Sequence, residues 1–418
     1  MAPEILQSNQ TTEINRGYLD HIRAWSGTWA HSRWKTLKDR VLFGNELRVL
    51  LLPLLFLAGK ILTFSLGRST RWHTSFAPSA LHQRALTYVD ALLEQYPLNM
   101  YPLVAKALEL AYLSETIRGR CSEDRKILEV AIGEASFSTR LFTDGRRVTG
   151  IDLNPYSLAK AVRSPHVKQA IVGDGRKPPV RHGTFDLLVA VNFLHHVTQK
   201  ESTVATWSQL ARRLLFTENT PFWASGWTIP YLLRTVGAKE AASSVALRIA
   251  NRLLQNLEPL SALEKHVVPS CDIEDRMTFM SERTFFYASL SPFLMRCYGA
   301  PTPALLKRWF LGPLRPFVLP ITKRLAELLI LFDAYQDRST DTFVVFLARS
   351  REFRPNPNEL DLICARCWNP LNVEGQCEVC GIRFPRKDGM LFLLPNELRH
   401  IEEEYRSDVA ATLPSEHL

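Results

Sequence analysis

The chain has 418 residues, 46% of them hydrophobic and 22% charged, which excludes a disordered protein and leaves length for two or three packed domains. Its 51 basic and 42 acidic residues give a formal charge of +9, which favours anionic partners (nucleic acid, anionic lipid, acidic substrates) without choosing among them. Seven cysteines, and a first thirty residues with no continuous apolar stretch, argue against a secreted disulfide framework and predict a reducing, cytoplasmic setting.

Residues 1–120 are predicted mostly helical. They contain "VLLLPLLFLAGKILTFSL" (Val49–Leu66), whose uninterrupted part, Val49–Gly59, is about half the ~20 residues a spanning helix needs. Pro53 sits inside the run, and Lys60 would cost roughly 2.5–3.5 kcal/mol near mid-bilayer. The segment reads as a helix lying in a membrane surface or as a core helix, with a true span as the lesser reading. "PLVAKALELAYL" follows, with Pro102 suited to a first turn and Val104, Leu108 and Tyr112 on one face.

The period then changes. Strand-like runs occur at "KILEVA", "RRVTGID", "VKQAIVGD", "FDLLVAV" and "RRLLFTE", with helix-compatible segments between the early ones. That alternation predicts an α/β fold: a Rossmann-like, doubly wound parallel sheet over residues 121–350. Residues 221–339 are expected to form a large, mainly helical insertion before one more strand, "DTFVVFLA" (Asp341–Ala348). "RSREFRPNPNE" reads as a linker to a small unit at 357–397.

In such a sheet, ligands bind beyond the carboxyl ends of the strands. The first turn carries Glu129 and Gly133, and Asp152 ends the second strand at the place of a ribose-binding acid. Asp174 follows the third strand, and the fourth leads into Asn192 and the pair His195–His196.

The stretch "ILEVAIGEASFSTRLF … VTGIDLNPYSLAKA … IVGDGRKPPVRHGTFDLLVAVNFLHHV" resembles the core of class I S-adenosylmethionine-dependent methyltransferases, most closely the branch acting on small molecules and quinones. The likeness covers roughly 120–220 and the strand at 341–348. It implies that S-adenosylmethionine is held around Glu129, Ala131, Gly133, Asp152, Leu153, Asp174, Gly175 and Asn192. Asp152 would meet the ribose, Asp174 the adenine and Glu129 the methionine end. The family's loop usually has glycines where this chain has Ala131 and Ala135; alanine is penalised at positive φ but keeps the backbone approachable.

Methyl transfer to a hydroxyl also needs a proton removed, which His195 or His196 could accept near neutral pH. The opposing expectation is that both histidines merely cap the strand. The turn "NFLH" differs from the Asn/Asp-Pro-Pro-aromatic turn of enzymes that methylate nitrogen, which tilts the acceptor toward oxygen or carbon.

Near the C-terminus, "CARCWNPLNVEGQCEVCGIRFP" spaces Cys364, Cys367, Cys377 and Cys380 as two Cys-x2-Cys knuckles, the pattern of a structural four-thiolate zinc site, with iron the minor alternative. With the downstream "GIRFPRKDGMLFLLPNE" it resembles the small zinc-binding activator subunit of tRNA, rRNA and release-factor methyltransferases, which implies docking beside a methyltransferase sheet. Apolar bulk in 221–339, with Lys307, Arg308, Arg315, Lys323 and Arg324 between bulky residues, favours a lipophilic small-molecule acceptor reached by peripheral membrane contact. An RNA or translation-factor substrate is the alternative, and a cofactor-dead zinc-containing scaffold a third. Protein partners are not specified by the sequence.

Overall fold

The computed structural model describes residues 79–93, 96, 100–289, 312–356 and 362–412, less 136, 143, 253, 254 and 373. Val49–Leu66, Lys307 and Arg308 lie outside the described residues, as does the side chain of Arg315.

Helix α1 (Ala80–Leu93) packs on α2 (Met100–Arg120). Pro102 lies in the first turn of α2, and Arg118 and Arg120 complement its dipole in the last. Strands β1 (Ile127–Val130), β2 (Val148–Asp152), β3 (Val167–Val172), β4 (Phe185–Val191) and β5 (Ala211–Asn219) follow. Helices α3 (Ser138–Leu141) and α4 (Pro155–Ala161) link the first three strands, and α5 (Lys200–Leu210) links the last two. Asn154 caps α4, accepting from the Tyr156 and Ser157 backbone N–H groups. β1 is buried along its length, and in β4 only Asp186 and Val191 keep partial exposure. Helices cover both sheet faces, which is why these strands are written as nearly continuous apolar runs.

With β6 (Cys271–Ser281), β7 (Asp341–Ser350), β8 (Arg386–Lys387) and β9 (Met390–Phe392), the sheet order is β6-β7-β5-β4-β1-β2-β3-β9-β8. β1 to β5 run parallel, with Glu129 opposite Gly150 on one side and Val189 on the other. Strand order reverses between β1 and β4, which opens a crevice at their carboxyl ends. One core gathers α1, α2 and α10 (Gly312–Asp333) around Leu103, Leu108, Phe279 and Leu329. The other packs α5 and α9 (Leu260–Val267) around Trp207, Leu263, Phe216 and Phe346.

The stretch expected to be mainly helical departs from that expectation at one place. Helices α6 (Pro221–Ser225), α7 (Thr228–Thr235), α8 (Lys239–Arg252) and α9 are followed by strand β6 (Cys271–Ser281), antiparallel to β7 (Asp341–Ser350). Its sequence, "CDIEDRMTFMS", hides the strand because the edge position invites charge: Asp272 pairs with Arg351 at 2.6 Å, Glu274 with Arg349 and Glu264 with Arg276. A register shift between Ile273 and Asp275 breaks the alternation further. Lys323 and Arg324 of α10 are in ion pairs with Asp90 and Glu327. Among the described residues no helix is long and apolar enough to cross a membrane.

The C-terminal unit adds to the same sheet. Hairpin β8 (Arg386–Lys387) and β9 (Met390–Phe392) sets β9 parallel to β3, Ala170 opposite Met390 and Val172 opposite Phe392. Helix α11 (Arg399–Thr412) then packs on α4, with Tyr405 edge-on to Tyr156.

Candidate active site

The turn after β1 brings backbone toward the crevice. Ala131, Gly133 and Ala135 have φ of 55°, 54° and 57°, so both alanines adopt the left-handed conformation that glycine takes without cost. The Gly133 N–H donates to Asp152 Oδ2 at 2.8 Å, and the Asn154 N–H to Asp152 Oδ1 at 2.8 Å. Burial raises the Asp152 pKa, and these N–H donors oppose the rise. At the end of β3 no side chain fits at Gly175: a Cβ would come within 2.5 Å of Val130 Cγ1.

A cavity of about 400 Å³ occupies this edge, roofed by α2. Of the residues singled out above, Ala131, Gly133, Asp152, Leu153, Gly175, Asn192, His195 and His196 line it. Glu129 and Asp174 do not. Glu129 is buried behind the turn, accepts from Ser138 Oγ, and burial pushes its carboxyl up to about 7. The Asp174 carboxylate is held by Arg176, by the backbone N–H at 2.9 Å and by Nη2 at 2.7 Å.

Beyond β4 the cavity becomes polar. His195 is buried, and its Nδ1 lies 2.9 Å from Glu218 Oε2 at the end of β5. The Glu218 carboxylate also accepts the backbone N–H groups of Phe193 (3.1 Å), Leu194 and His195 (3.0 Å), and so pins the short helical turn Leu194–His196. From α2, Glu109 reaches the cavity; its carboxylate accepts from Lys106 at 2.8 Å, Asn192 Nδ2 at 2.8 Å and Thr217 Oγ1 at 2.6 Å. Tyr101 accepts from Trp223 Nε1 at 2.9 Å, and with Trp227 and Phe285 they form an aromatic cluster at this end. Burial raises the Tyr101 pKa.

Residues 128–214 match the methyltransferase domain family. Over these residues the chain carries the Rossmann-like fold of that family. Solved structures similar to it include an S-adenosylmethionine-dependent methyltransferase from Mesorhizobium loti (17% identity, 54% of this chain and 90% of that one, TM-score 0.32). A geranyl diphosphate C-methyltransferase from Streptomyces coelicolor A3(2) is another (12% identity, 59% and 82%, TM-score 0.36). A third is the N-methyltransferase NodS from Bradyrhizobium japonicum WM9 (12% identity, 59% and 97%, TM-score 0.31). No curated protein matches the chain.

Glu109, Tyr101, Asn219 and Trp223 line the cavity and Glu218 backs it, although none of them stands out in the sequence as a site residue. A signal existed for two of them: Glu109 is a lone acid inside the apolar run "AKALELAYL", and Glu218 closes the apolar strand "ARRLLFTEN". Buried acids of that kind require partners, and here the partners are the cavity wall.

On the far flank of the methyltransferase sheet, the Sγ atoms of Cys364, Cys367, Cys377 and Cys380 all lie within 4.8 Å of one another. Tetrahedral thiolate coordination of zinc at ~2.3 Å separates sulfurs by about 3.8 Å, so this donor set fits the ion. The second knuckle turns at Gly381 (φ 67°), and Trp368 takes the equivalent place in the first (φ 62°). Leu362 bridges to Val180 of the methyltransferase domain.

Proposed function

We propose that the chain transfers a methyl group from S-adenosylmethionine to an oxygen or carbon of a lipophilic acceptor at a membrane surface. The observation that carries this reading is a single cavity that joins the Gly133–Asp152 cradle to the His195–Glu218 pair. S-adenosylmethionine would supply the electrophilic methyl as a sulfonium, a displacement governed by proximity and a desolvated site.

Each residue then has a defined task. Asp152, with both oxygens already oriented by backbone N–H donors, keeps lone pairs for ribose hydroxyls. Gly175 lets the chain after β3 pack directly against Val130 and Phe193 at the cavity wall, where a Cβ would collide. Glu218 takes the Nδ1 hydrogen of His195, leaving Nε2 as the basic nitrogen that accepts the acceptor's proton. Zinc would be held by Cys364, Cys367, Cys377 and Cys380 in a structural role, since thiolates fill all four positions.

Support for a lipophilic acceptor comes from α7, which begins just after Trp223 and Trp227. Ile229, Leu232 and Val236 are 63%, 49% and 78% exposed and recur at helical spacing, with Leu247 of α8 also exposed. An apolar stripe beside a cavity suits interfacial contact with lipid.

Methyl-labelled S-adenosylmethionine incubated with the protein, a total membrane lipid extract and total RNA tests this reading. Label in the lipid fraction is expected. Label confined to RNA would overturn it in favour of the RNA alternative.

A further inference from the structure

We infer that the end of the cavity beyond β4 selects a neutral headgroup bearing a hydroxyl and rejects its phosphate ester. The inference deepens the methyltransferase reading and takes the position of the acceptor from it.

Asn192 sets the chemistry. Its Nδ2 donates to Glu109 Oε1 at 2.8 Å, and because a carboxylate offers only lone pairs the amide is fixed in that orientation. Asn192 Oδ1 is thereby buried with no hydrogen-bond partner. The backbone holds the residue there at φ 54°, with its N–H on the Thr217 carbonyl at 3.0 Å. A strained conformation retained beside a cavity points to a role for the side chain it aims. Asn219, 5% exposed at the end of β5, also leaves its Oδ1 buried and unpartnered while Nδ2 faces Gln255 Oε1 at 3.4 Å. Both residues line the cavity, and both lack a donor.

The charges agree. Lys106, the one lysine among the described lining residues, is 2.8 Å from Glu109 Oε2, so that pair is neutral, and Asp152 adds a carboxylate with no lining cation left to balance it. His195 directs Nδ1 at Glu218. A phosphate monoester, dianionic near neutral pH and rich in acceptors, would meet amide oxygens and carboxylates. A hydroxyl offers one hydrogen, which either amide oxygen can accept, without adding charge, and its apolar body has Trp223, Tyr101 and Phe343 to lie against.

The test uses calorimetric titration of the full chain saturated with S-adenosylhomocysteine. The probes are para-nonylphenol, its methyl ether and its phosphate monoester. The phenol is expected to bind at least tenfold more tightly than either relative. Asn192→Gly, which keeps the left-handed backbone, and Asn219→Ala should each reduce the phenol's lead over the ether at least threefold, with melting temperature reporting that they fold. Equal affinity for phenol and ether, a tighter phosphate, or no binding by any probe would overturn the inference. Should S-adenosylhomocysteine itself fail to bind, the probes are titrated without it. A retained ranking then keeps the headgroup inference while the methyltransferase reading falls.

Discussion

Glu218 Oε2 receives two hydrogens from one residue: the ring Nδ1 of His195 at 2.9 Å and its backbone N–H at 3.0 Å. A single carboxylate therefore fixes both where the histidine sits and which ring nitrogen stays basic. His195→Ala should lower kcat by about 10²–10³, the range of general-base catalysis. Glu218→Gln keeps a neutral acceptor and should lower kcat roughly tenfold with little change in S-adenosylhomocysteine affinity. Stopped initial-rate assays beside calorimetry separate the two effects; an unaltered kcat in His195→Ala would make the pair a strand cap.

Ala131 and Ala135 sit at φ 55° and 57°, where an L side chain costs about 1–2 kcal/mol. Ala131→Gly and Ala135→Gly should each stabilise the protein by about 1 kcal/mol, read from denaturant midpoints at constant slope. Cofactor affinity should hold or improve. Destabilisation by both would show that the turn is shaped differently.

Much of this architecture is legible in the chain, for identifiable reasons. β1 to β5 announce themselves because strands covered on both faces are written as apolar runs, and Gly133, Asp152 and Asn192 reach the cavity because each stands at the end of such a run. What stays hidden depends on tertiary neighbours. Glu109 gains its meaning only once α2 lies over Asn192 and Thr217, and Glu218 only once β5 pairs beside β4. Asp174 illustrates the converse: its position after β3 is right for a ligand contact, but Arg176, two residues on, occupies its carboxylate. β6 is obscured by the charges that protect a sheet edge.

Glu129 gives a pH signature. Burial raises its pKa from 4.5 to about 7. The folded state thus holds the proton more tightly than the unfolded chain, so its contribution is full below about 4.5 and is lost as pH rises through about 7. At ~1.36 kcal/mol per pKa unit the loss is roughly 3 kcal/mol. Glu129→Gln should accordingly stabilise the fold at pH 8 and lose that gain near pH 4.5, in melts run across the range. A pH-independent difference would contradict the assignment.

The four-cysteine cluster is tied to the sheet through β9 on β3 and the Leu362–Val180 bridge. Chelation, or Cys377→Ser, should remove one zinc per chain and raise hydrogen exchange in 362–392 first, spreading to the β3 edge. Elemental analysis with exchange mass spectrometry checks this, and full protection in a zinc-free preparation would refute a structural metal.

A cofactor cradle made by Gly133 and Asp152 should reveal itself in calorimetric titration with S-adenosylmethionine. Saturable one-to-one binding is predicted, abolished by Asp152→Ala in a protein that still melts cooperatively. No heat of binding to the unaltered chain, or equal affinity in Asp152→Ala, would contradict it.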